Sequence, residues 1–469
     1  MPCLLPLLLA ASAALAEPLS LRAALEEALR ANPELRQDRL VLRAAELAVE
    51  GARASFDPAI WAGIDGDAGG SADEGRDRSL GLSAGLSQPL PSGGSAGFSW
   101  YGSHTHGDAP GSAAHDADLL LSLTQPLLDG AGPFAARYAV HAAERNRDWQ
   151  ALDHRATREH LVVAVASAYW RLVEARETLG VAHRTLATVE QQLEETRERM
   201  REGFAASGDV LQVERAVLVA RQARIMAEAT AAQAELHLLR LLGRNLERRA
   251  PLEPTDRPEP PEHLPDLQLS LEIARAYNAA WLQQDILAQG ASEALRLARH
   301  QKLPTLDLTA GLSLSGSGAD PRDARAELFL GREPASSMGL TLSAPLPGRA
   351  DAIALDQAWL ESQRLRLARE AAAQTLTQAV EDAVRAVYRD DARASLARDT
   401  VAVAQAALEA DQELAREGRG STREVVRSLE ALDTAQVASL QADIALQRAL
   451  LDLLEVEGLL LTKLGLEEE

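Results

Sequence analysis

The stretch LVEARETLGVAHRTLATVEQQLEETRERMREGFAASGDVLQVERAVL, Leu172 to Leu218, decides the fold. Leu172, Ala175, Leu179, Ala182, Leu186, Val189, Leu193, Thr196 and Met200 step three, four, three, four without a slip. That is the roughly 3.5-residue period of a left-handed coiled coil. Gly203 ends the helix, and Asp209 is placed to cap a successor whose Val210, Val213, Val217 and Ala220 return along the first. The spacing predicts a helical hairpin turning at Glu202 to Asp209. A counterpart lies far downstream, with a break at Glu417, Gly418, Arg419, Gly420 and Ser421 and a returning stripe of Val425, Leu429 and Leu432.

Composition supports long helices. Of 469 residues 46% are hydrophobic but only 3% aromatic, and Ala and Leu dominate, so helices pack closely through small side chains. The net charge of −21 excludes nucleic acid as a partner, because a phosphate backbone demands a basic stripe. Ordinary acidic solubility and a cation-favouring lumen are both readings of that charge.

Residues 1–16 form an apolar run ending Ala14-Leu15-Ala16, a small-x-small pattern that predicts a secretory signal peptide cleaved after Ala16, although it lacks the usual basic start. Cys3, the only cysteine, lies inside it, so the mature chain has no thiol, as suits an oxidising compartment without disulfides. No later run approaches the roughly 20 apolar residues of a membrane-spanning helix; the uncharged run Leu161 to Trp170 is much too short. A membrane-inserted form must use strands.

Beyond a first helix, Leu19 to Ala54, broken at Asn32-Pro33, the period changes to two. Leu80, Leu82, Ala84 and Leu86 alternate with Ser79, Gly81, Ser83, Gly85 and Ser87. The alternation returns at Ala96, Phe98 and Trp100, at Leu119, Leu121 and Leu123, at Leu306 to Leu314, and at Met338 to Ala344. One face is apolar and the other small and polar, over about 10 residues, the length of a tilted transmembrane strand. A soluble sheet with one buried face gives the same pattern. Gly69 to Arg78, Ser103 to Asp116 and Gly316 to Ser336 read as long polar loops and Pro89 to Gly94 as a tight turn, giving four strands in the first half and two in the second.

The helix Asp129 to Gly203 spans about 110 Å at roughly 1.5 Å per residue, longer than a globular domain accommodates. A shorter helix follows, Val210 to Leu242, and then the order repeats: helix Leu269 to His300, strands, long helix Arg349 to Glu417, shorter helix Arg423 to Leu464. The expected organisation is a signal peptide at 1–16, a first repeat at 17–249 with strands at 58–127 and a helical hairpin at 129–242, a Pro-rich linker at 250–267, and a second repeat at 268–466 with strands at 304–346 and a hairpin at 349–464. The chain reads as an internal duplication of about 230 residues.

In this duplicated order the chain resembles the TolC-type outer-membrane efflux channels from about Leu19 to Leu464. The resemblance rests on the duplicated order, on Gln125-Pro126-Leu127-Leu128-Asp129-Gly130-Ala131-Gly132 with Ala344-Pro345-Leu346-Pro347-Gly348 in the matching place, and on the turn ending Asp209-Val210-Leu211. It implies an α+β membrane protein: a homotrimer whose strands close one outer-membrane β-barrel, continued by a long periplasmic α-helical coiled-coil barrel. Open sheet edges are not tolerated in hydrocarbon, so several chains must contribute strands. The family pattern is four strands per chain; six here give eighteen in a trimer, or the extra pair forms a surface hairpin.

The resemblance further implies a passive export duct, with no catalysis and no cofactor, that receives cargo from a periplasmic adaptor and an inner-membrane pump. Gating and adaptor docking then fall on the hairpin turns: Gly203, Asp209, Val210 and Leu211 in the first, Gly418, Gly420, Arg423, Arg427 and Glu430 in the second. Arg427 stands where an aspartate is common, and Arg419 or a neighbour replaces the turn's usual aromatic, so a clasp there is ionic. As bare residues, Asp209 is a helix cap and the others solvated charge. A periplasmic coiled-coil adaptor with soluble β domains is the alternative reading, although an adaptor normally has one hairpin. His104, His106 and His115 have metal-ligand types but read as a polar loop, and Trp100 and Tyr101, at a strand end, suit an interfacial aromatic belt. No phosphate-binding glycine loop, nucleophile elbow or catalytic carboxylate pair is present.

Overall fold

The computed structural model describes residues 17–71, 75–107, 114–203, 206–246, 251–261, 263–330, 334–417, 419 and 422–466. The elements run β1 (Glu17–Leu19), α1 (Leu21–Ala31), α2 (Pro33–Ala54), β2 (Ala59–Ser71), β3 (Gly75–Pro89), β4 (Ser95–Gly107), β5 (Ala114–Pro126), α3 (Gly132–Arg201) and α4 (Ser207–Leu241). They continue as β6 (Leu252–Pro254), α5 (Leu267–Tyr277), α6 (Ala279–Gln301), β7 (Thr305–Gly318), α7 (Pro321–Leu330), β8 (Ala335–Ser343), α8 (Arg349–Arg416), α9 (Thr422–Glu457) and α10 (Leu460–Leu464). The chain divides into two units: Met1–Leu40, Leu152–Leu282 and Ala372–Glu469 in one, Val41–Ala151 and Gln283–Ala371 in the other.

The first unit is helical, and its main core is built on the apolar run of α3. Val162, Val165, Ala166, Tyr169 and Leu172 are fully buried with Leu238, Leu239 and Leu242 of the α4 end, Leu252 of β6 and Leu460 of α10. That run, too short for a membrane, is a helix buried on several sides by its neighbours. The heptad stripe packs as its spacing requires: Val189 and Leu193 of α3 bury against Val210, Val217 and Ala220 of α4. In α9 the stripe of Ile444 and Leu451 joins the α3 core, while Leu446, Ala449 and Leu453 pack with Val380, Val384 and Val387 of α8. α9 thus buries two faces.

Small polar devices join these helices at the same place in each half. Asn32 accepts hydrogen bonds from Glu34 N and Leu35 N at the start of α2, and its Nδ2 donates to Leu241 O at the end of α4 (2.9 Å). Asn278 accepts from Trp281 N and donates to Val456 O at the end of α9 (2.9 Å). The helix read as Leu269 to His300 is therefore two, α5 and α6, and the one read as Arg423 to Leu464 breaks at Gly458, whose positive φ of 71° ends α9. The Pro-rich linker is docked: β6 pairs with β1 in parallel, Glu17 to Leu252. Tyr169 Oη donates to Leu19 O (2.9 Å) and accepts from Thr255 N and Asp256 N (3.1 Å each). Arg244 bridges Glu17 and Glu27, which raises its pKa through their hydrogen bonds and lowers that of Glu17.

The second unit carries a six-stranded antiparallel sheet, order β2-β3-β4-β5-β7-β8. All six predicted strands belong to it, so no pair forms a separate surface hairpin. The strands outrun the alternation that revealed them: β4 continues to Gly107 and β5 starts at Ala114, so both ends of the expected loop Ser103 to Asp116 are strand. Both ends of the expected loop Gly69 to Arg78 are likewise strand, and Gly316 to Ser336 contains the helix α7. Between β3 and β4 the tight turn closes with Leu90 N donating to Gly94 O (2.7 Å). The Gln125 to Gly132 motif serves that turn: Gln125 Nε2 donates to Ser92 O (3.1 Å), and Gly132 N donates to the same oxygen (2.9 Å) from a positive φ of 88°.

Candidate functional site: the two-faced sheet and the helical tips

Directly opposed residues of an antiparallel sheet share a face, so the register sorts every strand. Ile60, Leu86, Phe98, Leu121 and Leu312 lie in one row across five strands, and Ala310 and Met338 carry the same face into β8. This face is apolar along its length and largely uncovered: Ile60 is 84% exposed, Ile64 77% and Met338 82%, and Leu80, Leu121, Leu340 and Leu342 are exposed too. A contiguous apolar surface of this extent has no place in water. The soluble alternative needs a buried face, and the sheet has none to match it.

The opposite face is small and polar. It holds Ser83, Ser99, Ser103, Ser122, Ser313, Thr309 and Thr341, with Asp65, Asp67, Asp116, Asp118 and Asp307. Among its described side chains there is no Lys or Arg. Leu120 is the aliphatic exception. Trp61 lies over Gly85, where a Cβ would collide with the indole. Trp100 and Tyr101 point to opposite faces in mid-strand, so they do not form the strand-end pair expected of an aromatic belt. His104 and His115 also sit on strands rather than in a loop, directly opposed and stacked at 4.2 Å. Among the described residues no group of three His, Cys, Asp or Glu is disposed to hold a metal ion, and no helix is long and apolar enough to cross a membrane.

The tips of the helical hairpins belong to the first unit. Gly203 ends α3 with a φ of 84°, its N–H donating to Met200 O (3.1 Å). α4 begins at Ser207, so Asp209 is its third residue and does not hold the capping position expected of it. Val210 is buried against the end of α3, while Leu211 is 65% exposed. Arg423 is the second residue of α9, Arg427 and Glu430 are exposed, and Gly418 and Gly420 lie outside the described residues.

Contacts that sequence reasoning missed brace these tips. Arg197 pairs with Glu194 and with Glu214 across the first hairpin (2.8 Å each), and Arg221 with Glu190 (2.8 Å). Both carboxylates hold the Arg197 pKa above its usual range. In the second hairpin Ser428 bonds Asp411, and Thr185 Oγ1 donates to Asp433 (3.1 Å), tying α3 to α9. Charged residues four and seven apart on facing stripes were the only signal available. Leu211, Leu218 and Ile225 on α4 repeat every seventh residue and remain exposed, as do Leu396 and Val403 on α8. These are heptad seams without a partner among the described residues.

Comparison with known proteins agrees with this architecture. TolC of Escherichia coli is 25% identical over 255 residues, 52% of this chain and 49% of that protein. BepC of Brucella suis, an outer membrane efflux protein, is 25% identical over 327 residues, 69% of this chain and 68% of that one. The match thus spans only about half the length of TolC. The solved structure of the transmembrane channel protein CusC superposes with a TM-score of 0.67 at 19% identity, over 93% of this chain and 92% of that one, a likeness of fold. The model of the outer membrane efflux protein family matches twice, over residues 24–244 and 264–459. With both halves of the chain matched, this protein belongs to the outer membrane efflux protein family.

Proposed function

We propose that the protein is the outer-membrane duct of an exporter, conducting cargo passively from a periplasmic adaptor and an inner-membrane pump and performing no chemistry. The observation that carries this reading is the exposed apolar face of the sheet backed by a small, polar, acidic one. Lipid covers the first and water fills the space behind the second. The two edges, β2 and β8, run in opposite directions because six strands alternate, so copies of the chain join edge to edge without breaking the antiparallel ladder. Three copies give eighteen strands, in the range of roughly 16–18 that leaves an aqueous channel. The heptad seams on α4 and α8 supply the corresponding contacts between helical hairpins. The two matched halves and their paired Asn32 and Asn278 locks support an origin by duplication.

Gating and docking are assigned to the tips, at Gly203, Asp209, Val210, Leu211, Gly418, Gly420, Arg423, Arg427 and Glu430. Replacing Asp209 and Arg423 together raises single-channel conductance in planar bilayers if an ionic clasp closes the tip; unchanged conductance removes the clasp. Cell fractionation tests the whole reading. A heat-modifiable trimer in the outer membrane, co-purifying with an adaptor and a pump, is expected, and release by osmotic shock would return the protein to the soluble scaffold reading.

A further inference from the structure

The helix α7 interrupts the link between β7 and β8 and lies on the apolar face of the sheet. Gly316 makes this possible. It shares its face with Leu312 and Leu314, and a Cβ there would collide with the backbone of Ala324 and Leu328. Only Ala324 and Leu328 of α7 are buried, while Phe329 and Leu330 are 76% and 77% exposed. All four strand connections to α2, α3, α6 and α8 leave from the opposite end of the sheet. α7 therefore covers the end remote from those helices, where the apolar band gives way to His104 and His115.

Between α7 and the strands is a cavity of about 320 Å³, lined on its apolar side by Leu80, Leu82, Trp100 and Ala324 and elsewhere by the stacked pair His104 and His115 and by Arg325. The Nε of Arg325 donates to Pro321 O (3.0 Å), which fixes the guanidinium at the cavity, and Arg322 is exposed on the same helix. Of the two carboxylates on α7, Glu327 accepts from Ser317 N (3.1 Å) and Asp323 lies against Gly318.

We propose that α7 and the strands beneath it form a binding site for lipid A, the phosphorylated, multiply acylated glycolipid of the outer leaflet, with one acyl chain in the cavity and a phosphate on Arg325 and Arg322. The site rests on the barrel reading, which puts this face in lipid and this end at the outer surface. Continuity of the cavity with the lipid-facing band selects an acyl chain, and the two guanidiniums select a phosphate. Phe329 and Leu330 dip into the same leaflet as an interfacial anchor.

The test uses the full-length trimer purified from outer membranes in mild detergent, titrated with lipid A or with phosphatidylethanolamine and read by native mass spectrometry. Wild type is expected to retain one lipid A per chain in preference to phosphatidylethanolamine. Leu82→Trp, which fills the cavity, abolishes retention, and Arg325→Glu weakens it at least tenfold. Arg325 is on an exposed helix, so its variant serves even if Leu82→Trp does not assemble. Equal retention by wild type and Arg325→Glu overturns the site, as does equal retention of the two lipids. Failure of the barrel reading looks different: the wild-type chain itself yields no heat-modifiable trimer, and the site falls with it.

Discussion

Replacing Leu121 by arginine separates a lipid-facing sheet from one that is merely exposed. Leu121 is on β5, Ala114–Pro126, opposite Phe98 and Leu312. At about 3.3 Å per residue and a tilt near 40°, the five steps from Pro126 amount to roughly 13 Å of depth, the middle of an apolar band about 25 Å tall. Arginine at a barrel's midplane costs about 2–4 kcal/mol, whereas near the interface the cost falls to about 0–1 kcal/mol. Leu121→Arg is therefore expected to reduce the folding equilibrium by about 30-fold to 700-fold per chain, at about 1.4 kcal/mol per tenfold. Ser122→Arg, one residue on but facing the other way, stays within about 0.5 kcal/mol, as surface changes do. The assay is urea-dependent folding into phospholipid vesicles, followed by heat-modifiable gel migration. Equal effects of Leu121→Arg and Ser122→Arg would refute the assignment of the faces.

Other consequences follow from particular residues. Asp65, Asp67, Asp116, Asp118 and Asp307 line the polar face without a described cation, so the pore should favour cations; the asparagine variants should move the reversal potential in a salt gradient toward zero. Tyr169→Phe removes the hydroxyl that joins Leu19 O to Thr255 N and Asp256 N, and should cost about 1–3 kcal/mol, measured as a lower unfolding midpoint. Burial raises the pKa of Glu159, and likewise of Asp452 and Glu455. The folded chain then holds protons that the unfolded chain has released, so this contribution is greatest below the ordinary carboxylate range and is lost as pH rises through the folded values. Glu159→Gln should accordingly raise the midpoint at pH 8 more than at pH 4.

Much of the fold was legible because burial imposes a period. The 3.5-residue stripe of α3 and the alternation of β3, β4, β5, β7 and β8 each follow from a face that must meet apolar material, whether another helix or lipid. What escaped detection lacks such a period. β1 and β6 are three residues each and pair across more than two hundred positions, so no local pattern announces them. α7 buries only Ala324 and Leu328, too few for a stripe, and its position depends on Gly316, outside its own sequence. The outer ends of β4 and β5 carry His104 and His115 where the alternation stops being apolar, so they read as loop. The break at Asn278 has no proline to mark it, unlike Asn32-Pro33. At the tips, the position of the turn was readable from Gly203, but Asp209 stands two residues inside a helix that starts at Ser207. The work proposed for it involves other copies of the chain, which a single sequence does not display.

The central claim is that the sheet closes with copies of itself in the outer membrane. Cys3 is the only cysteine, so in a Cys3→Ser chain introduced pairs report without background. Cysteines at Ala62 or Ile64 on β2, combined with Met338, Leu340 or Leu342 on β8, share one face of the two free edges. Disulfides form only where Cα atoms approach to about 4.4–6.8 Å. Oxidation in intact outer membranes is predicted to give covalent dimers and trimers, and nothing larger, at one register of β2 against β8. Disulfides confined to single chains, ladders beyond the trimer, or no cross-link at any register would contradict the account.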